Sequence, residues 1–153
     1  MSIFQKKKKT IVSPCKGEII ELKDIKDEVF SSGLLGYGFG VKSTQGEVFS
    51  PIDGVVSSVY DTGHAYTIEG KDGLEVLVHI GIDTVELGRE LFCPRVKQGD
   101  KVKKGYPLAY AELEKIRKKG YDPTTVVIIS TEIKSPELKI GMAEVGEAVV
   151  IYE

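Results

Sequence analysis

Residues 64–79, HAYTIEGKDGLEVLVH, begin and end on the only two histidines of a 153-residue chain. Apolar and polar residues alternate on both sides of Gly70-Lys71-Asp72-Gly73, which predicts two strands joined by a tight turn. Closing that turn with Gly70 opposite Gly73, or with Glu69 opposite Leu74, sets His64 directly across from His79. Opposed residues share a face, with Cβ atoms about 4.5–5.5 Å apart. In this register Val76, Val78 and Ala65 face the core, and His64, Tyr66, Leu77 and His79 share the other face. A loop one residue longer or shorter would break the geometry, because every side chain on one strand would change faces.

Outward from this hairpin, Gly, Pro and Asp punctuate the chain at all-β spacing. Strands are expected at Thr10–Ser13, Gly17–Leu22, Phe39–Ser43, Gly46–Phe49, Gly54–Tyr60, His64–Glu69, Leu74–Ile80, Pro107–Ala111, Val126–Ser130 and Ala148–Tyr152. One helix is expected over Ala111–Lys119, with Leu113 and Ile116 inward, Glu114 pairing with Lys118, and Gly120 as its stop. A short helical turn is expected near Asp83–Leu87. SPCKGEII at 13–20 echoes SPIDGVVS at 50–57, and Gly99-Asp100-Lys101-Val102 echoes Gly146-Glu147-Ala148-Val149. The expected fold is therefore all-β: an antiparallel sandwich or barrel of duplicated β units with one or two short helices.

The composition narrows the function classes. Lys+Arg number 21 against 23 Asp+Glu, so no global positive field exists to attract nucleic acid. Cys15 and Cys93 make no disulfide framework and fit free thiols in a reducing cytoplasm. No apolar run reaches the length of a membrane span, and stable membrane insertion is not expected. Residues 1–9, with the Lys6–Lys9 run, read as a flexible basic segment, and 10–153 as a single domain. A monomer is the default for this size and charge.

Two adjacent imidazoles disfavour double protonation, so both are expected to be neutral. Three chemistries use such a pair. One ring carries a phosphoryl group while the other hydrogen-bonds its oxygens. Alternatively, the pair ligates zinc, with Asp83 as a third ligand in the spacing His79-x₃-Asp83. In the third, one ring is the general base for a nucleophile such as Cys93 or a nearby serine.

Further motifs sharpen the choice. Ser50-Pro-Ile-Asp-Gly54, Thr62-Gly-His-Ala65, Gln98-Gly-Asp-Lys-Val102 and above all Val76-Leu-Val-His-Ile-Gly-Ile-Asp-Thr-Val-Glu-Leu87 resemble the glucose-type IIA components of the bacterial phosphoenolpyruvate-dependent sugar phosphotransferase system. Val29-Phe30 and the glycines at 36–40 add to the likeness, which runs from about Thr10 to Tyr152. The resemblance implies a compact antiparallel β-sandwich with barrel-like closure. It implies a phosphoryl carrier that takes phosphate from the phosphocarrier protein HPr and passes it to a cysteine on a IIB domain, for sugar uptake and phosphorylation.

The resemblance also assigns residues. Nε2 of His79 matches the phosphoryl acceptor and His64 the stabilising partner, held by Thr62, with the Gly81 carbonyl fixing the tautomer of His79. Val29, Phe30, Leu34, Leu35, Tyr60 and Leu77 match an apolar partner-binding rim, and Asp27 and Asp83 match acidic positions beside it. Some members bind zinc between the two histidines, so His64 and His79 are optional zinc ligands; no cofactor is otherwise implied. The membrane-binding N-terminal segment of enteric members has no match in MSIFQKKKKT.

Rival readings lack their key residues. A zinc peptidase of related architecture needs a later His-x-His, and no histidine follows His79. Gly99–Leu108 resembles part of a biotinyl or lipoyl carrier, yet Met1 and Met142 flank no suitable lysine. A degenerate, binding-only regulator is a third reading, against which both imidazoles stand. Cys15 and Cys93 read as packing or loop residues.

Overall fold

The structure, a computed structural model, describes residues 8–153. Lys6 and Lys7 of the basic run, with the rest of 1–7, lie outside the described residues. Fourteen strands follow one another: β1 Lys9–Val12, β2 Gly17–Glu21, β3 Tyr37–Ser43, β4 Glu47–Phe49, β5 Gly54–Val59, β6 Ala65–Glu69, β7 Glu75–Ile80, β8 Phe92–Pro94, β9 Lys101–Val102, β10 Pro107–Ala111, β11 Thr125–Ile129, β12 Glu137–Leu138, β13 Gly141–Ala143 and β14 Ala148–Tyr152. Two short helices, α1 Glu28–Ser31 and α2 Leu113–Lys118, interrupt them. All ten expected strands are present. The short β8, β9, β12 and β13, and helix α1, were not legible as elements.

The largest sheet has the order β13-β2-β3-β11-β7-β6-β5-β9, and two three-stranded sheets, β1-β14-β12 and β4-β10-β8, complete the sandwich. This order is symmetric about the β11–β7 pair. An approximate twofold between β11 and β7 exchanges β3 with β6, β2 with β5 and β13 with β9, and it exchanges the two small sheets.

Hydrogen bonds at the repeated Ser-Pro turns obey the same symmetry. Ser13 Oγ donates to the Cys15 carbonyl at 2.7 Å, and Ser50 Oγ donates to the Ile52 carbonyl at 2.7 Å. The Val12 amide donates to Pro51, and the Phe49 amide to Pro14. Ser13 exchanges backbone bonds with Gly146 and Glu147, whereas Ser50 exchanges them with Gly105 and Tyr106. The first expected echo is therefore a structural repeat. The second is misplaced: the counterpart of Gly146-Glu147 is Gly105-Tyr106, not Gly99-Asp100.

The alternation along β7 sorts its faces. Val76, Val78 and Ile80 are buried, and Glu75, Leu77 and His79 are half-buried on the opposite side. Val76 and Val78 join Phe39, Val41, Ile68 and Val127 in the main core between the sheets. Each fully buried side chain of this kind contributes about 1.5–3 kcal/mol. β11 is buried along its whole length, because Ile25 and Phe30 cover the outer face at Val126 and Ile128.

The helix expected over Ala111–Lys119 begins later, since Ala111 ends β10 in register with Phe92. Glu114 pairs with Arg117 at 2.6 Å, not with Lys118. The helix closes as expected at Gly120, with φ +87°: the Gly120 amide donates to Arg117 and the Tyr121 amide to Ile116.

Candidate functional site

The register of β6 and β7 differs from the expectation by one residue. Ala65 faces His79, and Glu69 faces Glu75. The loop is residues 70–74, with the Gly70 amide bonded to the Leu74 carbonyl and with Asp72 and Gly73 at positive φ. Tyr66 consequently points into the core and Ala65 shares the side of His79, the reverse of the expected faces. The sequence does not distinguish a loop of four residues from one of five.

The two imidazoles nonetheless meet, with ring centroids 4.8 Å apart and planes 80° from each other. His64 achieves this from just outside the ladder. The chain turns through Tyr60–Gly63, where the Gly63 amide donates to Tyr60 at 2.7 Å and Gly63 has φ +79°. His64 therefore escapes the strict alternation of the strand, and its ring lies over His79 while only 2% exposed.

Each ring is tied through Nδ1. The His79 Nδ1–H donates to the Gly81 carbonyl at 2.7 Å. His64 Nδ1 is hydrogen-bonded to the Thr62 hydroxyl. The Gly81 carbonyl is itself fixed: its amide donates to Thr124, the Ile82 amide to Asp122, and Thr84 Oγ1 to the Ile80 carbonyl. Gly81 sits at φ +84°, and a Cβ there would lie 2.3 Å from the Thr84 methyl. Only glycine suits that position. Among the described residues neither Nε2 atom has a hydrogen-bond partner, which leaves both for a ligand.

Burial, and then the neighbouring His79, hold the His64 pKa down to about 4. Burial also lowers that of His79, against the opposing pull of the Gly81 carbonyl, Asp27 and Asp83. Both rings are neutral at pH 7, so His79 presents a free lone pair on Nε2.

Aromatic side chains wall the pair. Phe30 meets His79 edge-on at 5.2 Å, and Tyr60 meets His64 at 5.5 Å. Phe30 is buried as part of this wall and is not a member of the exposed rim. Val29, Leu34, Leu35 and Tyr60 are exposed, Leu34 by 90%. Leu77 is half-buried on the side of His79. Asp27 caps α1, its Oδ1 accepting from the Val29 and Phe30 amides. Asp83 is exposed at φ +59° and opens the 3-10 turn Thr84–Glu86.

Two features were missed. Val85, an exposed apolar side chain on that turn, lies inside the motif 76–87 and was not singled out. Arg89, whose side chain bonds the Asp61 carbonyl, carries no sequence signal.

The alternative chemistries fare less well. Among the described residues no group of three or more His, Cys, Asp and Glu side chains is placed to hold a metal, Asp83 included. His64 and His79 alone supply half of a tetrahedral zinc set. Among the described residues no thiol or serine is hydrogen-bonded to either imidazole, whose partners are Thr62 and Gly81. Cys15 is buried, its thiol pushed up to about 11 by burial; Cys93 is exposed in β8. Among the described residues no helix is long and apolar enough to cross a membrane.

The chain is similar to known proteins in sequence and fold. Residues 9–134 match the family model of the phosphoenolpyruvate-dependent sugar phosphotransferase system, EIIA 1. The chain is 40% identical over 152 residues to a beta-glucoside-specific EIIBCA component of Bacillus subtilis, an alignment covering 97% of this chain and 25% of that protein. It is 42% identical over 130 residues to a glucose-specific EIIA component of Oceanobacillus iheyensis, covering 85% of this chain and 79% of the relative. Thus it spans a quarter or less of the EIIBCA relatives, but most of the shorter EIIA one. The solved glucose permease IIA from Mycoplasma capricolum superposes with a TM-score of 0.93 at 32% identity, covering 100% of both chains. This chain belongs to the EIIA 1 family of the phosphoenolpyruvate-dependent sugar phosphotransferase system.

Proposed function

We propose that this chain is a phosphoryl carrier, accepting phosphate from the phosphohistidine of HPr on Nε2 of His79 and passing it to a cysteine of a IIB domain. The observation that carries this reading is the pair of imidazoles, each tied through Nδ1, with both Nε2 atoms free. A IIB partner and a sugar-permease setting accord with relatives named as EIIBCA and EIICBA components.

In the step, the bond from phosphorus to the donor nitrogen breaks as the bond to His79 Nε2 forms. The donor ring leaves as neutral imidazole. His79 keeps its Nδ1 proton on the Gly81 carbonyl, and the phosphorylated ring carries a positive charge. Asp27 and Asp83 favour that charge, as they favour the protonated ring. His64 has the complementary role: with the Thr62 hydroxyl donating to Nδ1, its proton sits on Nε2 and donates to a phosphoryl oxygen. Attack by the IIB cysteine thiolate on phosphorus reverses the first step, and His79 departs neutral. Positioning and charge do the work, as is usual for phosphoryl transfer. In this reading the transfer uses no cofactor, and zinc between His64 and His79 stays an optional ligand.

The exposed apolar rim of Val29, Leu34, Leu35, Tyr60 and Val85 suits docking of successive partners. Acidic Asp27 and Asp83 steer basic surfaces toward it and act more on encounter rate than on affinity. The test is intact mass after incubation with phosphoenolpyruvate, enzyme I and HPr. One acid-labile phosphoryl adduct is expected on the wild type and none on His79→Ala. His64→Gln is expected to accept phosphate but to hand it on poorly. No adduct on the wild type, beside a control acceptor that is labelled, overturns the proposal.

A further inference from the structure

We propose that Arg89 is a positioning residue for His64, acting through the turn that carries Thr62. Arg89 begins the 3-10 turn Arg89–Leu91, which is anchored in the core by buried Leu91. Its Nε–H donates to the Asp61 carbonyl at 2.7 Å, across 28 residues of sequence. Asp61 lies one residue before Thr62, whose hydroxyl bonds His64 Nδ1.

The turn has two other supports. Its ends are joined by the Tyr60 amide on Ala65 and the Gly63 amide on Tyr60. Its far side lies against β8, where a Cβ on Gly63 would sit 3.0 Å from Pro94. Neither support fixes the rotation of the Asp61–Thr62 peptide. The arginine does, because it holds that carbonyl directly. A charged donor makes a stronger bond than a neutral one, and the planar guanidinium gives it direction. With the peptide fixed, the Thr62 hydroxyl meets Nδ1, and the His64 proton is kept on Nε2.

The second half of the molecule supports a role in chemistry over a role in folding. By strand register Pro94 on β8, opposite Ala109, corresponds to Leu138 on β12, opposite Val150. Counting back equally from each gives Ile133 as the counterpart of Arg89. Among the described residues no hydrogen bond ties that segment to the connection after β2. The half without an imidazole folds without the arginine.

The consequence for transfer rests on the carrier reading; the geometric claim does not. The experiment compares wild type, Arg89→Ala and Arg89→Gln. ¹⁵N-resolved NMR of the imidazoles reads the tautomers, and time courses read acceptance from phospho-HPr and transfer to IIB. In Arg89→Ala, His64 is expected to change from one Nε2–H tautomer to a mixture, with His79 unchanged. Acceptance should stay within about twofold, and onward transfer should fall roughly fivefold or more, the scale of a small misplacement of one group. Arg89→Gln, which retains a neutral N–H donor, should restore most of both. An unchanged His64 tautomer overturns the proposal, whether or not the rates change. So does simultaneous loss of the His79 signature, which would mean general loosening. If the wild type takes no phosphate, the carrier reading fails, while the tautomer comparison still decides the role of Arg89.

Discussion

The two halves of the large sheet share a pattern of strand pairing and differ in what covers them. The chain enters β6 through Gly63-His64-Ala65 and β3 through Gly36-Tyr37-Gly38, with a positive-φ glycine first in each case. By register His64 corresponds to Tyr37, His79 to Ile128, and Tyr66 to Phe39. In one half the connection between paired strands is only residues 60–64. In the other it is residues 22–36, long enough to contain α1 and to lay Ile25 and Phe30 over Ile128. One long connection thus buries its own half of the outer face and walls the other half on one side. A symmetric sheet becomes a one-sided dish with the histidines at its floor. The duplication supplies the scaffold, and loop length with two imidazoles supplies the chemistry.

Making the halves alike breaks that difference most sharply at His79. His79→Ile copies its counterpart Ile128 and should abolish phosphoryl acceptance, as read by intact mass. Circular dichroism should show the fold intact, since isoleucine suits a half-buried strand position. An adduct surviving on this variant would place the acceptor elsewhere.

A smaller effect separates the halves in acid. The folded pKa of His64 lies below its unfolded value, so the unfolded chain binds its proton first. The stability linked to this ring is full above pH 6.5 and is lost as pH falls toward 4, by at most about 3 kcal/mol. Burial of His79 acts in the same direction. Urea titrations across this range should show a steeper loss for the wild type than for His64→Gln. Equal slopes would mean that His64 is not buried as a neutral ring.

The paired glycines sharpen the comparison further. Gly36→Ala would bring a Cβ to 2.2 Å from the Ile129 carbonyl oxygen, a backbone atom, whereas Gly63→Ala meets the Pro94 ring at 3.0 Å. Both carry the strain of positive φ, about 1 kcal/mol or more. Gly36→Ala should lower the unfolding midpoint further than Gly63→Ala. The smallest effect is expected at Tyr66, whose buried hydroxyl has no partner among the described residues, while its counterpart Phe39 has no hydroxyl. Tyr66→Phe should leave stability unchanged or raise it by about 1 kcal/mol, because an unsatisfied polar group is removed. A clear destabilisation would reveal a bonded hydroxyl.

Much of this was legible in the sequence, for identifiable reasons. Strands with strong alternation or β-branched runs, such as 75–80 and 125–129, announced themselves. Two- and three-residue strands such as β9 and β13 carry too few side chains to show a period. The hairpin register depended on whether Leu74 belongs to the loop, which turns on backbone dihedrals at Asp72 and Gly73 rather than on composition. The histidine pair was correctly brought together although that register was off by one, because His64 lies beyond the ladder and is placed by the Gly63 turn. Asp27 was singled out for its charge, whereas its role as the cap of α1 appears only in three dimensions. Arg89 was invisible because its partner is a carbonyl, which any residue offers.

The exchanged bonds at the two Ser-Pro turns, Val12 to Pro51 and Phe49 to Pro14, also set the timing of folding. Neither turn is finished without backbone from the other half, and β1 finds its ladder partner only in β14. During synthesis β2 can pair with β3, and β5 with β6 and β7, as soon as each emerges. β1 cannot: at about 5–20 residues per second it keeps an unpaired edge for several seconds or more, until β14 leaves the ribosome.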